Sequence, residues 1–123
     1  MTRQQLEPGP DHPITITPTA GRVTVQVAGR TIADSTNALT LQEADYPAVQ
    51  YLPLADVDAE VLVRSDTQTY CPFKGDASYY SVRTGDGELA DAIWTYEQPY
   101  PAVAEIKEHA AFYADKVDIR IEV

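Results

Sequence analysis

At the end of the chain Val117, Ile119, Ile121 and Val123 alternate with Asp118, Arg120 and Glu122. A side-chain period of two places the first set on one face of an extended segment and the charged set on the other, so this stretch reads as a half-buried strand. The pattern recurs upstream. Ile14-Thr15-Ile16-Thr17 alternates, Val23, Val25 and Val27 share a face opposite Thr24 and Gln26, and Ala28-Gly29 turns the chain tightly into Arg30 to Ser35. Further strands are expected at Ala38 to Glu43, Val49 to Leu52, Glu60 to Arg64, Thr67 to Tyr70, Ala77 to Val82 and Leu89 to Tyr96, with Thr84-Gly85-Asp86-Gly87 as a hairpin turn. Ala102 to Glu108 has helical composition, with Val103, Ile106 and Ala110 at helical spacing, and predicts one short helix near the C-terminus. The expectation is a mainly β, antiparallel single domain over residues 14–123, of about nine short strands. Residues 1–13, with three prolines and little apolar content, are expected to form a mobile N-terminal arm, leaving His12 exposed.

Charge and cysteine usage exclude several function classes. The net charge is −10, from 19 acidic and 9 basic residues spread along the chain. A field of that sign repels phosphate backbones and anionic lipid, so neither nucleic acid nor a membrane surface is an expected partner. No apolar run approaches the roughly 18 residues of a membrane span. The polar start, Met1-Thr2-Arg3-Gln4-Gln5, carries no signal region, and the expected address is the cytoplasm. One cysteine and two histidines cannot make an internal disulfide or the paired-cysteine spacing of a structural zinc site. No metal or cofactor is expected, although a mixed site borrowing carboxylates stays open.

The run Thr69-Tyr70-Cys71-Pro72-Phe73-Lys74-Gly75-Asp76-Ala77-Ser78-Tyr79-Tyr80 concentrates chemistry between two strand-like segments. Pro72 and Gly75 define a sharp loop around the lone thiol, and loops held by rigid scaffolds are where binding groups sit. Lys74-Gly75 presents a cation beside a residue that lets a ligand approach backbone amides, or else a plain turn with a solvated lysine. Cys71 is either a small buried hydrophobe or a nucleophile activated by a neighbouring cation such as Lys74. His109 adjoins the predicted helix end and reads as structural. Tyr79 and Tyr80 point to opposite faces if both lie on a strand, and the same logic pairs Trp94 with Tyr96. Rings with polar tips suit small-molecule sites, and they also suit cores. Asp56-Val57-Asp58 places two carboxylates on one face if extended, as a metal pair requires, while Pro53 nearby favours a turn in which they cap backbone amides.

The order of several short segments resembles the bacterial domain-of-unknown-function family 427: His12-Pro13-Ile14, Ala33-Asp34-Ser35, Ala38-Leu39, Tyr51-Leu52-Pro53 with Asp56-Val57, Thr69 with Cys71-Pro72 and Lys74-Gly75, Trp94-Thr95-Tyr96 with Pro99, and Ala111-Phe112-Tyr113 with Val117-Asp118. The resemblance implies curved sheets meeting at an angle, a β-tent-like fold similar to methionine sulfoxide reductase B and the cereblon ligand-binding domain. That wider group often holds zinc with paired cysteines, which this chain lacks. Asn37 stands where the family usually has arginine, which puts an anionic ligand in doubt. The family carries a nucleotidyltransferase-like label in some catalogues.

Three readings follow from these residues. The leading one is a small-molecule binding domain with an aromatic-lined cleft beside the Cys71–Gly75 loop, drawing on Tyr51, Asp56, Lys74, Gly75, Tyr79, Trp94 and Tyr96. The second is an enzyme using that cleft, with Cys71 as nucleophile or redox centre, or with Asp56 and Asp58 holding a metal for nucleotidyl transfer. The third is an interaction module without a ligand, and a homodimer built through exposed strand edges is compatible with any of them.

Overall fold

A computed structural model describes residues 3–85 and 87–123. Among these, ten strands follow in chain order: β1 (Ile14–Pro18), β2 (Arg22–Val27), β3 (Arg30–Ser35), β4 (Leu39–Glu43), β5 (Val49–Pro53), β6 (Leu62–Cys71), β7 (Gly75–Thr84), β8 (Gly87–Thr95), β9 (His109–Phe112) and β10 (Asp118–Glu122). Every pairing is antiparallel. One sheet has seven strands in the order β1-β4-β5-β9-β8-β7-β6, and the other has three, in the order β10-β2-β3. The fold is mainly β, as the alternation requires, and no helix among the described residues is long and apolar enough to cross a membrane.

Alternation sorts the side chains of the large sheet into two cores. On β5, β8 and β7, the residues Leu52, Ile93, Tyr80 and Val82 face the small sheet, where they meet Val23, Val25 and Ile32. Their chain neighbours Tyr51, Trp94 and Tyr79 face the other way and pack with Leu41, Val103, Ile106 and Ala111. The fully buried aliphatic side chains each contribute roughly 1.5–3 kcal/mol of transfer free energy. Ala28 and Gly29 both have positive φ, 49° and 81°, which is the geometry of a tight hairpin turn matched to strand twist.

The large sheet curls strongly. Lys74, in the turn between β6 and β7, makes an ion pair with Glu43 at the end of β4. Four strand spacings separate β4 from β7 in the sheet order. In a flat sheet that is about 19 Å, beyond the combined reach of two side chains. The curvature therefore folds the second core and its aromatic rings into a hollow, without closing a barrel.

Two local expectations need correcting. The segment read as a short helix is a 3-10 helix, Pro101–Ile106, interrupted at Val103 (φ −126°, ψ 29°) and ended at Lys107 (φ −57°, ψ 136°). Ala110 belongs instead to β9, a strand that the Ala-rich composition concealed and that fills the gap between β5 and β8. Of the two pieces expected at Glu60–Arg64 and Thr67–Tyr70, Glu60 and Val61 lie in a 3-10 helix and the rest forms one strand, β6, with a register shift between Arg64 and Gln68. The Cys71–Gly75 loop is a tight turn, since those two residues already pair across the hairpin. In the Thr84–Gly87 turn the ends pair, and Asp86 lies outside the described residues, as do Met1 and Thr2 of the N-terminal segment. The rest of that segment lies along the β6–β7 turn: Leu6 N–H donates to the Pro72 carbonyl at 2.9 Å, and Arg3 pairs with Asp76.

Candidate functional site

The hollow contains a cavity of about 260 Å³. Tyr51 from β5, Tyr79 from β7, and Trp94 with Tyr96 from β8 and its end supply ring surface, and Lys74 supplies a charged wall. Each ring is there because the strand period leaves it on the concave face, and Lys74 reaches that face from the β6–β7 turn. Leu41, Glu43, Tyr46, Pro47, Val49 and Tyr113 complete the lining. Five of the residues expected from sequence thus meet at one place, while Asp56 and Gly75 are not among the lining residues.

The rings hold one another in fixed orientations. Trp94 stands edge-on to Tyr51, with centroids 6.4 Å apart at 87°, and donates its Nε1–H to the Tyr51 hydroxyl at 3.2 Å. Tyr113 lies tilted against the other side of Trp94, at 4.6 Å. The Tyr79 hydroxyl pairs with Thr69 Oγ1 at 2.9 Å. Burial pushes the Tyr51 and Tyr96 phenols well above the ordinary tyrosine value. Burial, with a hydrogen bond involving Tyr79, raises Tyr113 to about 12. The phenols are therefore neutral hydrogen-bonding groups at neutral pH.

The polar wall is a connected set of side chains. Lys74 Nζ donates to Glu43 Oε1 and lies 3.7 Å from Cys71 Sγ. The other Glu43 oxygen lies 2.7 Å from His12 Nε2, which must donate because an ionised carboxylate only accepts. The pair is little exposed, with Lys74 at 10% and Glu43 at 15%. Burial alone would push the Glu43 carboxyl up. Hydrogen bonds and charge from Lys74 and His12 outweigh that and hold it below the ordinary glutamate value. His12 is half-buried instead of exposed, with its ring stacked on Phe73 at 4.0 Å and 5°.

Other candidates are engaged elsewhere. Gly75 has φ 111°, and a Cβ there would sit 3.4 Å from the Gln98 carbonyl oxygen, so its open side is taken by the protein's own chain. Tyr100 N–H donates to the Lys74 carbonyl at 3.0 Å in the same contact. Asp56 accepts from Ser35 Oγ at 2.7 Å. Asp58 caps the 3-10 helix Ala59–Val61, accepting from Glu60 N–H at 3.0 Å and from Arg30 at 2.8 Å. The Glu60 amide first, and then Arg30, hold the Asp58 carboxyl below its usual range. Among the described residues no cluster of three or more histidine, cysteine or acidic side chains has metal-site geometry. His109 opens β9, with Nδ1 2.8 Å from the Lys107 carbonyl.

Sequence reasoning missed Glu43 and His12, which are 31 residues apart. His12 lies in the His12-Pro13-Ile14 segment but reads there only as an exposed arm residue, Glu43 sits in no such segment, and the sheet's curl is what brings Glu43 to Lys74. Val49 and Tyr46 carried a signal that was read as strand and turn alone. No curated protein matches this chain. The family described as Domain of unknown function (DUF427) matches residues 15–123, and the chain belongs to that family.

Proposed function

We propose that this is a small-molecule binding domain whose site is the aromatic cavity beside the Cys71–Gly75 turn. One observation carries the reading: ring faces from three strands and an ion pair from two distant segments converge on one hollow of about 260 Å³. Small-molecule sites are largely apolar hollows with a few placed polar groups, typically roughly 300–1,000 Å³. This cavity falls just under that range, so its ligand is of single-ring size. With Glu43 neutralising Lys74, an uncharged molecule fits better than an anion. The free thiol of Cys71 suits a reducing compartment, and we propose the bacterial cytoplasm as the location.

A thermal-shift screen against phenols, nucleotides, amino acids, sugar phosphates and small acids tests the proposal. A ligand at about 100 times its Kd stabilises by roughly 2.7 kcal/mol, or about 10 °C for a chain of this length. Val49→Trp, which fills the cavity from its half-buried edge, should abolish the shift. Silence across the whole panel would remove the reading.

One contact favours a second reading, in which Cys71 is a nucleophile: the Lys74 ammonium 3.7 Å from its sulfur. Cations beside a thiol promote its reactive form. Alkylation of Cys71 by iodoacetamide no faster than that of free cysteine, and unchanged by Lys74→Met, would dismiss it.

A further inference from the structure

We infer that the cavity is the head pocket of a longer site, and that its ligand is an uncharged amphipathic molecule with a ring or hydrogen-bonding head and a hydrocarbon tail. This rests on the small-molecule reading above and extends it to the class of ligand. A second cavity of about 530 Å³ shares Tyr46, Pro47, Val49, Trp94 and Tyr113 with the first. Among the shared residues Trp94 and Tyr113 are in ring contact, 4.6 Å between centroids, so they form part of the wall common to both cavities. Beyond that shared wall the outer cavity is lined by Ala48, Gln50, Phe112, Ala114, Ile119 and Ile121, of which Gln50 alone has a polar side chain.

The rim supplies an independent observation. Of the large apolar side chains exposed among the described residues, Tyr46 at 60% and Ile121 at 48% stand on this cavity's edge. Grouped exposed apolar residues beside a hollow mark a binding surface more often than isolated ones do. Such a lining offers hydrocarbon area and almost no hydrogen bonds, which is what an alkyl tail uses.

Two features argue for an uncharged head. Lys74 and Glu43 pair with each other, so neither is left as a counter-charge for a ligand of either sign. Among the described residues no buried side-chain nitrogen or oxygen lacks a partner, so the cavity presents no orphaned group demanding a charged ligand. A second copy of the chain is a poorer occupant. It would bring a further −10 against the same face, and the rim is small beside the roughly 800 Å² per partner of a stable interface.

The test is calorimetric titration of the full chain with a series from phenol through para-ethyl- and para-butylphenol to para-hexylphenol. Burying each added methylene should tighten Kd about four-fold. The ratio of hexylphenol to phenol affinity should collapse in Ile121→Asp and, as a second variant against misfolding, in Tyr46→Ser. Phenol binding with no dependence on tail length would overturn this inference and leave the small-molecule reading standing. Absence of binding across the series, phenol included, would overturn both. A chain-length gain that survives in both variants would place the tail elsewhere and refute the proposal. So would a dimer in sedimentation, dissolved by Ile121→Asp, without any gain from the tail.

Discussion

Lys74→Met removes the cation from a pair in which both side chains are at most 15% exposed. Glu43 is left with His12 alone in the wall of an apolar cavity. Breaking a buried pair from one side costs about 3–5 kcal/mol, because the surviving charge keeps its desolvation penalty and loses its partner. Replacing both members with apolar groups avoids that penalty, so Lys74→Met combined with Glu43→Leu should return to within about 1 kcal/mol of the parent. Urea unfolding followed by Trp94 emission reads both. With a slope of about 2 kcal/mol per molar, the single variant should lose roughly 2 M in midpoint. Glu43 has a folded-state pKa below its unfolded value, so its stabilising contribution is present above about pH 4.3. It is lost as pH falls through the folded-state value, and the gap between parent and single variant should shrink on acidification. A single-variant loss below about 1 kcal/mol, comparable with an exposed pair, would show that water reaches Glu43 and that the wall is open.

Other consequences are separable. At Gly21, φ is +95° and a Cβ would lie 2.1 Å from the Glu122 carbonyl oxygen, so Gly21→Ala should cost about 2–5 kcal/mol through backbone strain and displacement of β10; a loss under about 1 kcal/mol in urea unfolding would contradict the packing. Tyr51→Phe removes the acceptor of the Trp94 indole N–H and should cost about 1–2 kcal/mol, so unchanged stability would refute that bond. Tyr113 is raised to about 12, and burial raises Tyr51 and Tyr96 as well. Folded-state values above the unfolded value near 10 give stability that is complete below about pH 10 and lost as pH rises through them. Ultraviolet titration should find these phenols ionising only with alkaline unfolding, whereas smooth ionisation near pH 10 in the folded protein would exclude their burial.

Much of the fold was legible because alternation is a local signal. Tyr79 against Tyr80 could be assigned to opposite faces, and Trp94 with Tyr96 to one face, from the period of two, and the structure places them so. The tight turn at Lys74 followed from Pro72 and Gly75. What could not be read was curvature. Glu43 joins the site because the sheet bends across β5, β9 and β8, and no residue near Glu43 announces that bend. β9 was hidden for a different reason: Ala110 and Ala111 lack β-branching, yet both are wholly buried where the two cores press on a narrow strand. Gly75 shows the ambiguity of a glycine signal, since it permits close approach without saying whether a ligand or the chain itself comes near. Asp56 was misplaced because a carboxylate near an aromatic run looks the same in sequence whether it faces a hollow or holds Ser35.

Trp94 is the single tryptophan, so its indole N–H gives one resolved proton resonance at the meeting point of both cavities. Titrating the protein with phenol should move that resonance saturably, together with amides of β5 and β8. If it stays fixed up to phenol concentrations that perturb surface amides, the hollow does not take up a ring and the proposed site is wrong.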